Sequence, residues 1–396
     1  MVNQVDPVPL DPQELERCLR PFGESRMLPG AAYTSAEVFA WEQRHFFGGW
    51  TCVAVSDEVA RPGTQRAIAG ARGGTLLVRD RAGTLRAFAN ACRHRGHELL
   101  PCGAASELPL LRCPYHSWTY RLDGSLKRAP GFSDGGLPGF DPGDNALLAL
   151  PVEEWHGLVF VHGPGPVTVP LAEHLAGLDA LVAPYEPERL VVRATHEYTV
   201  GANWKILSEN YQECYHCPAI HPELCRVSPH DSGRNYTHPA AGAWVGGWME
   251  VGEGAATMSL DGRSPTRPLR GLAGDGVRQV VYVGAFPNVL VSLHPDYVMT
   301  HVLTPIGADR TRVRCSWAFD PDEAAREAFD PSFAVDFWDV TNRQDWSACE
   351  SVQRGISHEA AVPGLLSPDE DAVYQFVTLV ARGYAGLSLV TGPVGA

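Results

Sequence analysis

Apolar and polar positions along the chain change period several times, and the changes mark the elements. Residues 35–47 follow a polar leader and carry apolar side chains at helical spacing. From Gly49 to His162 the period falls to two. Short runs rich in β-branched and aromatic residues recur there: WTCVAVSDEV (50–59), TLLVRD (75–80), LRAFANAC (85–92), LLRCPYHSWTY (110–120) and GLVFVHG (157–163). Gly83 and Asp123-Gly124 fall where hairpin turns are expected. The segment GFSDGGLPGFDPGDNA (131–146) reads as a long loop. Beyond residue 165 the spacing predicts a helical patch at 171–182, a strand at 190–200 and a helix at 203–216. Further strands follow at 277–286, 289–305 and 311–319, and helices at 321–355 and 368–384. The fold class is α+β. A small all-β domain (45–163) precedes a larger α+β domain (164–396) with an antiparallel sheet flanked by helices, and residues 1–44 form a helical segment expected to pack on the larger domain.

Composition narrows the function classes. The 396 residues carry a formal charge of −14, which argues against a nucleic-acid binder and, more weakly, against docking on an anionic membrane. The start MVNQVDPVPLDPQELERC lacks the apolar core of a signal peptide, and no run of about 18 apolar residues exists, so a cytoplasmic chain without a membrane span is expected. Ten cysteines in such a chain read mostly as reduced thiols or metal ligands rather than as a disulfide framework.

Two short segments carry candidate metal chemistry: Cys92-Arg-His94-Arg-Gly, and Cys113-Pro-Tyr-His116-Ser-Trp. Each offers one Cys and one His at the end of a predicted strand. A zinc knuckle usually spaces its paired ligands by two to four residues, so Cys-x-His is tight for two ligands on one tetrahedral ion. Two Cys on one iron and two His on another, as in a Rieske [2Fe–2S] centre, removes the difficulty. Cys102 lies between the pairs without a His at motif spacing and reads as an ordinary thiol.

A second constellation is NWKILSENYQECYHCPAIHP (203–222). On a helix from Trp204, Glu209, Glu213 and His216 share a face, Pro218 ends the helix, and His221 follows in an extended turn. Two His and a carboxylate with open positions is the facial triad of non-haem Fe(II) oxygenases. The carboxylate is open on spacing alone: Glu209 and Glu213 are local, and the late helix offers Asp336, Asp339, Asp345 and Glu350. On that helix Trp338, Thr341, Asp345, Cys349 and Val352 share a face.

With these motifs in place, the chain resembles the oxygenase (α) component of Rieske non-haem iron oxygenases. CRHRG, CPYHSW and ENYQECYHCPAIHP carry the resemblance, which runs over nearly the whole chain. ENYQECYHCP, PNVLVSLHPDYVMTH (287–301) and FWDVTNRQDW (337–346) are similar to the glycine betaine, stachydrine and carnitine monooxygenases and demethylases. The resemblance implies Cys92, His94, Cys113 and His116 on the cluster and His216, His221 and Asp345 on a mononuclear Fe(II). It implies catalytic roles for Glu213, as the bridge between metal centres, and for Asn210. It also implies a homotrimer with electrons crossing between subunits, and a flavin/iron–sulfur reductase that brings them from NAD(P)H. Most ring-hydroxylating relatives carry Asp where this chain has Glu213.

The expected reaction is O2-dependent hydroxylation or N-demethylation of a quaternary-ammonium, betaine-like substrate. A trimethylammonium accepts no hydrogen bond and would be held by aromatic faces, for which Tyr211, Trp244, Trp248, Phe286, Tyr297 and Trp338 are candidates. The alternatives are an aromatic-ring dioxygenase or O-demethylase α subunit, and a Rieske electron carrier, which would need neither His216 nor His221.

Overall fold

The structure is a computed structural model, and it describes residues 6–132, 138–236 and 242–390. These form two compact units: one from 47–168, the other from the described residues of 1–46 together with those of 169–390. The sequence reading placed the boundaries at 44/45 and 163/164.

In the 47–168 unit, Gly73–Arg79 is central to a five-stranded antiparallel sheet, between Gln65–Gly70 and Leu85–Ala89. Its TLLVR stretch is apolar at consecutive positions because both faces are covered. Leu76 and Val78 enter one core with Phe88, Trp118 and Tyr120, and Leu77 enters another with Val53, Val159 and Val161. Trp50–Val55, Leu158–His162 and Val152–Trp155 form a three-stranded sheet. The run 50–59 ends as a strand at Val55 and continues as a 3-10 turn, Ser56–Val59. A small sheet of Leu111–Arg112, Thr119–Tyr120 and Leu126–Arg128 carries the second Cys/His segment at its first turn. Gly124 takes a positive φ of 85° in its hairpin turn, and a Cβ there would run into the Phe88 ring. Part of the predicted loop 131–146, residues 133–137, lies outside the described residues.

The other unit is built on a seven-stranded antiparallel sheet. Its order is Val191–Val200, Arg310–Phe319, Tyr297–Gly307, Val289–Leu293, Gln279–Ala285, Trp244–Glu250 and Arg234–Asn235. The predicted run 289–305 is a hairpin of two strands, turned at His294-Pro295-Asp296 with His294 N–H donating to the Tyr297 carbonyl. The predicted helix 321–355 is interrupted: Pro321–Ala324 stops, and Ser332–Ile356 begins after Pro331. Helices Asp371–Tyr384, Trp204–Tyr211 and Ala36–His45 meet at Glu42, which is fully buried. Glu42 receives Lys205 Nζ at 2.5 Å, Trp204 Nε1 at 2.9 Å and the Tyr384 hydroxyl. Burial of an ion pair is costly unless every partner is satisfied, and here three donors surround one carboxylate. Among the described residues no helix is long and apolar enough to cross a membrane.

Candidate metal centres and active site

The helix expected over 203–216 ends at Tyr211, and this corrects the shared face assigned to Glu209, Glu213 and His216. Gln212 is the C-cap at φ −88°, ψ 0°, and the chain turns to start the short helices Cys217–Ile220 and Pro222–Val227. Pro218 therefore opens the next helix, where its fixed φ is tolerated, instead of closing the first. A disulfide between Cys214 and Cys217 spans the turn that holds His216; the other eight cysteines form no disulfide.

This turn brings three ligand atoms together. His216 Nε2 and His221 Nε2 are 3.2 Å apart, and Asp345 Oδ1 stands 2.9 Å from His221 Nε2 and 3.4 Å from His216 Nε2. Edges of about 3 Å suit three neighbouring positions on an ion with bonds of roughly 2.1 Å. Two imidazole nitrogens at this distance share either a proton or a cation, and the outer hydrogen bonds leave both nitrogens able to bind a cation. His216 Nδ1–H donates to Glu213 Oε1 at 2.5 Å, and His221 Nδ1–H to Gln344 Oε1 at 2.7 Å, so both Nε2 atoms carry lone pairs into the site. Burial opposes ionisation of Asp345, but the two imidazoles beside it hold its carboxyl below the usual range. The chemistry of the donor set fits a 2-His-1-carboxylate Fe(II) site.

The competing carboxylates are engaged elsewhere. Glu209 Oε1 accepts the Tyr33 hydroxyl at 2.7 Å, Asp339 Oδ1 accepts the Tyr198 hydroxyl at 2.6 Å, and Glu350 Oε1 accepts the Gly201 N–H at 3.0 Å. Of the helical face read from the sequence, Trp338, Thr341 and Cys349 are buried, but Val352 is 45% exposed.

In the 47–168 unit, Cys92 and Cys113 are buried in the core, and Cys92 Sγ lies 3.3 Å from the Tyr120 hydroxyl. The His94 and His116 rings are 4.6 Å apart, and His94 stacks on Trp118. His94 Nδ1 is a buried atom without a hydrogen-bond partner, as a ligand nitrogen would be. Among the described residues only His216, His221 and Asp345 converge on one point. The two Cys and two His do not, which disfavours one zinc ion and fits ligands divided between two irons. Gly96, the last residue of CRHRG, takes φ 72°, so its turn needs a residue without Cβ.

Comparison with known proteins agrees with both centres. Residues 49–141 match the Rieske [2Fe-2S] domain, and residues 187–386 match the ring hydroxylating alpha subunit (catalytic domain). The chain belongs to the Rieske non-haem iron oxygenases. It is 31% identical over 365 residues to the glycine betaine monooxygenase oxygenase subunit of Chromohalobacter salexigens, covering 85% of this chain and 81% of that one. It is 29% identical over 337 residues to the carnitine monooxygenase oxygenase subunit of Acinetobacter pittii, covering 83% and 84%. Its fold matches the quaternary ammonium Rieske monooxygenase CntA bound to L-carnitine with a TM-score of 0.77 at 24% identity, covering 95% of this chain and 99% of that one.

This oxygenase has a cavity of about 650 Å³ beside the triad, within the range for small-molecule sites. Asn210, Tyr211, Glu213, Trp248 and Trp338 line it, as do Tyr282, His301 and Trp346, which the sequence reading did not single out. For Tyr282 and His301 the signal was the strand alternation itself: both sit at positions facing helix Trp204–Tyr211, whose Tyr211 ring lies 5.9 and 6.0 Å from theirs, while Trp346 is on helix Ser332–Ile356. Phe286, Tyr297 and Trp244 are core residues outside the lining. Phe286 packs on Phe46 and Trp204, the Tyr297 hydroxyl donates to the Met258 carbonyl, and Trp244 Nε1 donates to the Ala176 carbonyl. Among the described lining residues five carboxylates (Glu213, Asp231, Asp345, Asp369, Asp371) face one guanidinium, Arg234.

Proposed function

We propose that this chain is the terminal oxygenase of a system that hydroxylates an N-methyl group of a betaine-like quaternary ammonium. The observation that carries the reading is the cavity: an acidic lining with Tyr211, Tyr282, Trp248 and Trp338 in its wall, beside His216, His221 and Asp345. Aromatic faces attract a cation that accepts no hydrogen bond, and excess carboxylates raise its local concentration. Its relatives named for glycine betaine and carnitine point the same way.

When bound, the Fe(II) and the [2Fe–2S] cluster supply O2 activation and single-electron delivery. Cys92, Cys113, His94 and His116 would hold the cluster, and His216, His221 and Asp345 the Fe(II). One oxygen atom enters a C–H bond of the methyl group. The other leaves as water with two electrons and two protons, the electrons drawn from NAD(P)H by a flavin/iron–sulfur reductase. The N-hydroxymethyl product releases formaldehyde and leaves the demethylated amine. Glu213 holds the back of His216, and we place it on the electron path from a neighbouring subunit of a homotrimer, with Asn210 lining the same cavity. We take the protein to act in the cytoplasm.

The test is oxygen uptake and formaldehyde release, with a surrogate reductase, over betaines, carnitines, aromatic rings and aryl methyl ethers. Formaldehyde from a betaine supports the reading. Turnover of aromatics alone replaces it with a ring dioxygenase or O-demethylase.

A further inference from the structure

The floor of the cavity is one face of the seven-stranded sheet. Gly284 pairs with Leu290, and Leu290 with His301, so these three stand in one cross-strand row. Tyr282 and Ser292 form the next row on the same face, and the Tyr211 hydroxyl reaches Ser292 Oγ at 2.9 Å. Gln212, the residue after Tyr211, lies across this floor at Gly284. A Cβ at position 284 would collide with Gln212 Nε2. The glycine, a poor strand residue, therefore keeps space for one amide.

That amide is 6% exposed, lines the cavity, and its Nε2 has no hydrogen-bond partner. At the other end of the row His301, 2% exposed, is in the same state. Its Nε2–H donates to Asn342 Oδ1 at 3.1 Å, which leaves Nδ1 as an unpartnered acceptor. Buried polar groups without partners are costly and rare. Both atoms are sealed from solvent, Gln212 Nε2 against Gly284, so each meets a ligand group only when its side chain turns into the cavity it lines.

We propose that Gln212 positions the substrate by donating its Nε2–H to a carboxylate at the end remote from the ammonium group. The ammonium offers no acceptor and lies against the aromatic wall, so the acceptor must be on the rest of the molecule. In a lining this acidic, a carboxylate needs a donor to be admitted, and a hydrogen bond to an ionised group is among the stronger kinds. The inference rests on the quaternary-ammonium reading above and adds to it a residue that selects zwitterions over simple trimethylammonium alcohols.

The test compares glycine betaine with choline on the metal-loaded oxygenase. Gln212→Leu keeps the bulk and removes the donor. The expected result is a rise of about tenfold in KM for glycine betaine with kcat little changed. The preference for glycine betaine over choline, as a ratio of kcat/KM, falls by the same factor, while the thermal midpoint stays level or rises because an unpaired amide is gone. Gly284→Ala, which displaces the Gln212 side chain from the opposite strand, should lower the same ratio and keeps the test open if Gln212→Leu folds poorly. Calorimetric binding of glycine betaine should weaken in parallel. An unchanged KM and ratio in well-folded Gln212→Leu overturns the role of Gln212 and leaves the quaternary-ammonium function standing. Turnover of neither compound by the unaltered protein, with aromatics accepted, overturns both.

Discussion

Glu213 grips His216 at two points: Oε1 accepts the ring Nδ1–H at 2.5 Å and Oε2 accepts the backbone N–H at 3.1 Å. The imidazole is thereby fixed in tautomer and in direction, with Nε2 turned towards Asp345. A carboxylate behind a ligating His also raises its basicity. The same contact leaves Glu213 on the side of the ring away from the triad, where it cannot ligate the ion that Nε2 faces.

Glu213→Gln should separate these roles. The amide oxygen can still accept the Nδ1–H, while the amide nitrogen meets the His216 backbone N–H and that bond is lost. Iron and cluster should both be retained in the presence of excess Fe(II), and the cluster should remain reducible. Turnover should fall by about 10–100-fold. Single-turnover measurement on the pre-reduced protein checks this. A near-normal rate removes Glu213 from the electron path, and loss of the iron makes it a ligand.

Asp345 should behave as a ligand and Glu209 should not. Asp345→Ala leaves only two imidazoles and is expected to reduce iron from about three per chain to two, with the visible spectrum of the cluster intact. His216→Ala and His221→Ala should do the same. Glu209→Ala removes the acceptor of the buried Tyr33 hydroxyl and should lower stability by roughly 1–3 kcal/mol, with iron content unchanged. Metal analysis beside a thermal melt distinguishes the two outcomes, and the opposite ranking would move the ligand onto helix Trp204–Tyr211.

Replacing Cys113 or Cys92 by Ser should bleach the cluster and loosen the unit around it. Both thiols sit in the same core as Trp118 and Tyr120, and metal binding there is coupled to folding. The expected signature is loss of visible absorbance together with protease sensitivity confined to residues 47–168, while iron at the triad persists. Protection equal to that of the unaltered protein would show that this unit folds without its cluster.

The motifs were legible because their chemistry is local. Cys92-x-His94 and Cys113-x-x-His116 each fit in one turn, and the TLLVRD run already read as a strand. The turn after Tyr211 was less legible. Apolar spacing extended the helix to His216, and nothing in that spacing reports that Gln212 caps it or that Cys214 and Cys217 are bridged. The strand Trp244–Glu250 was missed because Gly246 and Gly247 depress β-propensity, yet both are needed there. A Cβ on Gly246 would meet the Tyr282 carbonyl, and one on Gly247 the Arg234 carbonyl. Aromatic type alone could not sort Trp338, which lines the cavity, from Phe286 and Tyr297, which fill the core. That choice depends on which face of the sheet, or of helix Ser332–Ile356, carries each ring.

The buried cluster at the base of helix Trp204–Tyr211 should make stability depend on pH. Lys205 is already paired with Glu42, so an ionised Glu209 would add an unbalanced charge to a buried region. Burial pushes the Glu209 carboxyl up to about 8, although the Tyr33 hydroxyl and the Lys205 ammonium pull the other way. A carboxyl raised above its ordinary 4.5 keeps its proton in the folded state where the unfolded chain has lost it. Stability should therefore fall as pH rises from about 4.5 to about 8, by at most about 1.4 kcal/mol per pH unit from this group. Asp296, pushed up to about 6 by burial, has the same sign but finishes its contribution two units earlier. Burial holds Lys205 below its ordinary value against the pull of Glu42, so it acts in the opposite sense at higher pH. Glu209→Gln keeps an acceptor for Tyr33 and removes the titration. Denaturant midpoints of the iron-loaded protein at pH 5.5, 6.5 and 7.5 should decline for the unaltered chain and decline less for Glu209→Gln, with the gap widening towards about pH 8. Parallel curves would show that Glu209 is ionised in the fold and that the charge is balanced by its neighbours.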